Sequence, residues 1–137
     1  MMKRIGKYPK VCFDDSGIAS LHTIHTIRLL NKNFDIKYIM GIINSKLCSY
    51  IFRLSVPLKG DVFPEFRVFD LNNHIYIYNI ELHKQKIIID LVDKILSKKD
   101  SNPDADISIL ENNLNQLVYK LYGLTEIEVE MVESSVD

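Results

Sequence analysis

The sequence predicts an α+β fold: a small mixed β-sheet packed on a central helix, followed by a C-terminal antiparallel helical hairpin. Three observations carry this expectation. Residues 36–54 place apolar side chains at helical steps of three and four. Four short runs around them, residues 8–14, 21–30, 63–69 and 75–80, are β-prone. From Leu82 onward the chain changes to two longer amphipathic patterns bounded by helix start and stop signals.

Taken in order, residues 8–14 (YPKVCFD) alternate Val11 and Phe13 against Lys10 and Cys12, and Asp14-Asp15-Ser16-Gly17 reads as a turn. Residues 21–30 (LHTIHTIRLL) alternate as a strand does. Leu21, Thr23, His25, Ile27 and Leu29 fall on one face, and His22, Ile24, Thr26 and Arg28 on the other. Asn31-Lys32-Asn33 breaks the run. The central helix, 36–54, then carries Ile36, Ile39, Met40, Ile43, Leu47, Tyr50, Ile51 and Leu54 on one stripe. Lys37, Asn44, Lys46, Ser49 and Arg53 lie on the other, with Asp35 placed as its N-cap. Pro57 ends it, and Lys59-Gly60 opens a basic loop. Residues 63–69 and 75–80 read as strands, the first confined by Pro64 to an edge or a strand start. Residues 82–99 form a helix through Leu82, Ile88, Leu91, Val92, Ile95 and Leu96. A second helix opens at Ser108 with Glu111 as a capping box and stops at Gly123; Thr125 and Glu128 repeat the box for a short third helix.

At 137 residues the chain buries one sizeable core. Its only composition shift, near Leu82, divides residues 1–81 from residues 82–137, a helical scaffold within the same unit. A hydrophobic content of 47% with 26% charged residues is that of a soluble globular protein. No apolar run is long enough to span a bilayer, and the basic MMKRIGKYPK start lacks the apolar stretch of a signal peptide. Cys12 and Cys48 stand in apolar company without ligand spacing, which reads as buried, reduced thiols of a cytoplasmic protein.

The net charge of −1 conceals an asymmetry. Residues 1–67 hold eleven Lys and Arg against five Asp and Glu, and residues 68–137 hold six against thirteen. Two explanations fit: a surface facing a polyanion, or two halves that attract each other on folding. Catalytic patterns are missing. No HExxH, GxSxG, phosphate loop or GxGxxG occurs. His22 and His25 point to opposite faces of a strand, and Asp14-Asp15, Asp104 and Asp106 sit where turn chemistry explains them. The chain is therefore expected to bind rather than catalyse, with no metal and no cofactor of its own. Duplex DNA is the partner that suits cations on exposed loops. The candidate contacts are Arg53, Lys59, Gly60 and Arg67, with Lys46 and His25 as secondary ones.

The segment YIMGIINSKLCSYIF resembles the YLLGILNSKL-x-x-F/Y-x-F pattern of TaqI-like C-terminal specificity domains. These are the target recognition domains of adenine-specific DNA methyltransferases and of fused type IIG restriction–modification enzymes. In that family the helix is followed by a basic, Gly-rich loop and an aromatic strand, as Lys59-Gly60 and residues 63–69 are here. The tail from Ile88, with Asn102-Pro103, Ala105-Asp106 and Leu117-Val118-Tyr119, is similar to the helical hairpin that closes many such enzymes. Where the family has a Pro-Ile-Pro-like motif, this chain has the tyrosines of HIYIY. Neither the S-adenosylmethionine-binding glycine motif nor the Asn-Pro-Pro-Tyr catalytic motif is present.

The resemblance accordingly implies the recognition portion of a larger enzyme. S-adenosylmethionine and base flipping would belong to a separate catalytic domain, itself a partner of this one. A second expectation is an interaction module, whose acidic helical hairpin docks on that catalytic domain or pairs two copies into a homodimer.

Overall fold

The computed structural model describes residues 1–17, 22–56 and 65–136. It is mostly helical, with a small antiparallel sheet, and so is α+β in the broad sense. The elements are β1 (Met2–Lys3), β2 (Ile24–His25), α1 (Ile36–Asn44), α2 (Lys46–Ser55), α3 (Val68–His74), α4 (Leu82–Ser101), α5 (Ser108–Tyr122) and α6 (Glu126–Ser135).

The expected central helix is two helices. At Ser45 the backbone turns extended, with ψ 157°, and this one residue ends α1 and caps α2. Its Oγ donates to the Ile42 carbonyl at 2.7 Å and accepts from the Cys48 N–H at 3.2 Å. The helical phase resets at this break. Leu54, expected on the buried stripe, is 67% exposed, whereas Cys48, Ser49 and Phe52 are buried. Asp35 caps α1 as its spacing predicts, accepting from the Lys37 N–H at 2.7 Å.

One core lies between α1, α2, α4, α5 and α6. Tyr38, Met40, Ile42 and Leu47 pack there against Ile88, Val92, Leu114, Val118, Tyr119 and Val132. Each large side chain buried in this way contributes roughly 1.5–3 kcal/mol. A smaller cluster of Met2, Phe52 and Phe66 joins α2 to the sheet, with the two phenyl rings edge to face at 5.1 Å.

The sheet is smaller than expected. Among the described residues only β1 and β2 pair, with Met2 opposite His25 and Lys3 opposite Ile24. Isolated bridges tie Met2 to Val11 and Ile5 to Glu65. Residues 65–69 do not continue as a strand, because α3 begins at Val68; Phe63 and Pro64 lie outside the described residues.

Residues 75–80 are not part of any sheet ladder. Side chains occupy their backbone groups instead. Tyr122 Oη donates to the Tyr76 carbonyl at 2.5 Å and accepts from the Tyr78 N–H at 3.1 Å. Tyr38 Oη donates to the Tyr78 carbonyl at 2.6 Å, and Gln85 Nε2 to the Ile80 carbonyl at 2.9 Å. A segment whose polar backbone is paired in this way needs no neighbouring strand.

The caps of α5 and α6 divide the same way. Thr125 and Glu128 form the expected capping box. Gly123, at φ +70°, ends α5 with Leu124 N–H on the Tyr119 carbonyl and Gly123 N–H on the Lys120 carbonyl. At the start of α5 the expected Ser108–Glu111 box does not form. Ile107 is the N-cap, and the Ser108 N–H is taken by Asp106 Oδ1 at 2.9 Å. Cys12 also departs from expectation: it is exposed, and only Cys48 is buried. Burial pushes the Cys48 thiol up to about 12.

Close approach of α1 to α4 and α5 depends on Gly41. A Cβ there would stand 2.7 Å from Ile88 Cγ2 and 3.2 Å from Val92 Cγ2. Gly41→Ala is expected to destabilise the fold by about 1–3 kcal/mol through overpacking, measured by urea denaturation. A variant as stable as the parent would show that the helices separate without cost.

Candidate nucleic-acid interface

Three segments of the basic half are stitched into one surface: residues 1–5, residues 22–25 and residues 65–67. Arg4 N–H donates to the Thr23 carbonyl at 3.0 Å, and Phe66 N–H to the Arg4 carbonyl at 2.6 Å. The Arg4 guanidinium bonds the His22 carbonyl at 2.8 Å and pairs with Glu65. His25 Nε2 lies 2.6 Å from the Phe66 carbonyl. Arg67 lies beside it at the start of α3, with Nε 3.8 Å from Glu65 Oε2 and a side chain 68% exposed. A recess of about 540 Å³ opens against this surface, with Met2, Ile5, Ile24 and Phe66 in its walls and Lys3 and Lys7 at its edge.

The expected contact residues therefore divide into groups. His25 bonds the Phe66 carbonyl, and Arg67 follows Phe66 in the chain. Lys46 and Arg53 turn toward α6 instead. The Lys46 ammonium pairs with Glu133 at 2.5 Å, and Arg53 Nη1 donates to the Ser135 carbonyl at 2.5 Å. Lys59 and Gly60 lie outside the described residues. Arg4, Lys3 and Lys7 were not among the expected contacts. Their signal was present in the basic MMKRIGKYPK start, but nothing in the sequence says that this start packs beside His25.

Glu133 also accepts from Tyr119 Oη at 2.8 Å. Burial alone would raise its carboxyl, but the hydrogen bonds from Lys46 and Tyr119 outweigh that and hold it below the ordinary value of 4.5. Tyr119 is displaced upward, by burial first and by Glu133 second. Lys37 is raised by its hydrogen bond to Asp93, at 2.5 Å. Lys3, Arg28 and Lys32 are exposed. Among the described residues, no group of three or more His, Cys, Asp or Glu side chains is placed to hold a metal. Among the same residues no helix is long and apolar enough to cross a membrane.

The family model of the TaqI-like C-terminal specificity domain matches residues 1–74, a span that includes this whole surface and ends with α3. The match covers more than half of the chain, and the chain belongs to that family. Its boundary leaves α4, α5 and α6 outside the matched region. No curated protein and no solved structure matches the chain.

The Glu133 arrangement has a pH signature. A carboxyl held low in the folded state adds stability that is present above the unfolded value and is lost as pH falls through the folded one. Glu133→Gln is expected to shrink the stability difference between pH 7 and pH 3. The change should not exceed about 1 kcal/mol, because the pair is partly open to solvent. Denaturation at the two pH values checks this, and an unchanged difference would remove Glu133 from the acid response.

Proposed function

We propose that this chain recognises a target sequence in duplex DNA for an adenine-N6 methyltransferase of a restriction–modification system. Membership of the specificity-domain family over residues 1–74 carries the reading. Recognition belongs on this reading to residues 1–81, and residues 82–137 act as the scaffold behind them. The chemistry, with S-adenosylmethionine and an extruded adenine, belongs to a catalytic domain outside this chain. The type II assignment and a cytoplasmic location are part of the same proposal.

Arg67, Lys59 and Gly60 are the proposed phosphate contacts, with His25 as a secondary one. Among the described residues Arg67 has only a distant carboxylate partner, and most of its side chain is in water. Arg53 retains guanidinium donors beyond the one on Ser135. Lys46 is assigned a smaller share, since Glu133 already neutralises it. Contacts of this type fix position on the duplex, and base edges supply the sequence information.

A second reading is an interaction module formed by the helical part, acting on the catalytic domain or on another copy. It is favoured by exposed Ile87, Ile109 and Ile127, and by an open groove between α4 and α5 edged by Asp90, Lys94 and Lys120. Light scattering separates the two readings: a dimer indifferent to DNA favours the second.

Fluorescence anisotropy with random-sequence duplex, across a salt titration, tests the first reading. Binding is expected to weaken steeply as salt rises, with a slope of about −0.9 per phosphate contact. The double substitution Lys59→Ala and Arg67→Ala is expected to weaken affinity and flatten the slope by about 2. An unchanged slope in a folded double variant would refute the assigned contacts.

A further inference from the structure

A second cavity borders Tyr8 and Lys10. It measures about 490 Å³ and is lined in part by residues of α1, α4 and the first turns of α5. Small-molecule sites occupy roughly 300–1,000 Å³, so the volume is that of a ligand site. Its lining joins apolar Met40, Ile95 and Leu114 to Lys10, Glu111 and Asn112.

Two features of this cavity point to an anion. The first is Lys10. The residue is exposed as a whole, and its ammonium donates to the Asn44 carbonyl at 2.6 Å. Desolvation draws its pKa below the usual lysine range, and attraction from Glu111 only partly restores it. Among the described residues no carboxylate lies within ion-pairing distance of it. A cation partly removed from water without a counter-ion is unfavourable. The second is Tyr8, whose Oη is buried without a hydrogen-bond partner. Buried hydroxyls of this kind are uncommon.

We propose that this cavity binds a small organic anion, a carboxylate or a phosphate monoester on an apolar body. The anionic group pairs with Lys10, and the body lies against Met40, Ile95 and Leu114. An ammonium has three donors, so Lys10 keeps one on Asn44 and offers the rest to the ligand. Glu111 sets the limit on charge: it repels a second negative group and accepts a hydrogen bond from a donor on the ligand. Tyr8 and Lys10 border both this cavity and the recess beside Ile24 and Phe66, and anion binding here does not depend on the chain binding DNA.

The test is ligand-observed NMR on the full chain with benzoate, phenyl phosphate and deoxyadenosine monophosphate. Benzamide and deoxyadenosine serve as the neutral counterparts. At least one anion is expected to bind, with the neutral molecules at least tenfold weaker; benzoate against phenyl phosphate identifies the preferred head group. Lys10→Met should weaken binding tenfold or more. Glu111→Gln should tighten it severalfold, a gain that loosened packing would not produce and that holds even if Lys10→Met fails to fold. Absence of anion binding at millimolar concentration would overturn the proposal, as would neutral and anionic probes binding alike. Glu111→Gln leaving the affinity unchanged would overturn the placement beside Lys10.

Discussion

The structure depends on the interruption at Asn44-Ser45-Lys46. Ser45 ends one helix and starts the next, and its two neighbours bind distant parts of the chain. Asn44 clasps the Val11 backbone from both sides, Oδ1 accepting at 2.8 Å and Nδ2 donating at 2.9 Å. The Lys46 N–H donates to Asn115 Oδ1 at 2.9 Å, and its ammonium reaches Glu133. Three consecutive residues thus connect the N-terminal segment, α5 and α6 to one bend. The bend also directs α1 onto α4 while α2 meets α5 and α6.

Tyrosines take over work that strands do elsewhere. Tyr38 and Tyr122 pair the backbone of residues 75–80 from the helical side. Their hydroxyls are kept neutral, with burial pushing Tyr122 up to about 12 and Tyr38 further in the same direction. Gln85, fully buried, extends this pattern by accepting from Asp35 N–H and donating to the Asn33 and Ile80 carbonyls. Segments without regular structure therefore keep their polar groups satisfied while lying against an apolar core.

Both explanations of the charge asymmetry have a counterpart in the structure. Lys37 with Asp93 and Lys46 with Glu133 join the basic half to the acidic one. Lys3, Arg28, Lys32 and Arg67 remain at the surface of the basic half. Such surface cations set a long-range field for a polyanion, while the cross-half pairs add little to stability because solvent screens them.

Local chemistry was legible wherever neighbouring residues sufficed to satisfy the backbone. The Asp35 cap, the Thr125–Glu128 box, the Gly123 stop and the extent of α4 all follow from residues within a turn of one another. The family, too, was legible, because the NSK pattern is short and contiguous. Pairing between distant segments was not. Periodicity alone could not reveal that Ser45 would break a continuous apolar stripe, since serine is tolerated within helices and the break depends on Val11 and Asn115. Nor could β-propensity show that residues 75–80 would find tyrosyl hydroxyls rather than a strand, because propensity measures fit to a half-buried surface and not the identity of the partner. Which cations face solvent was decided last of all. Lys46, Arg53 and Arg67 look alike in sequence, and only the position of α6 gives the first two their partners and leaves Arg67 exposed.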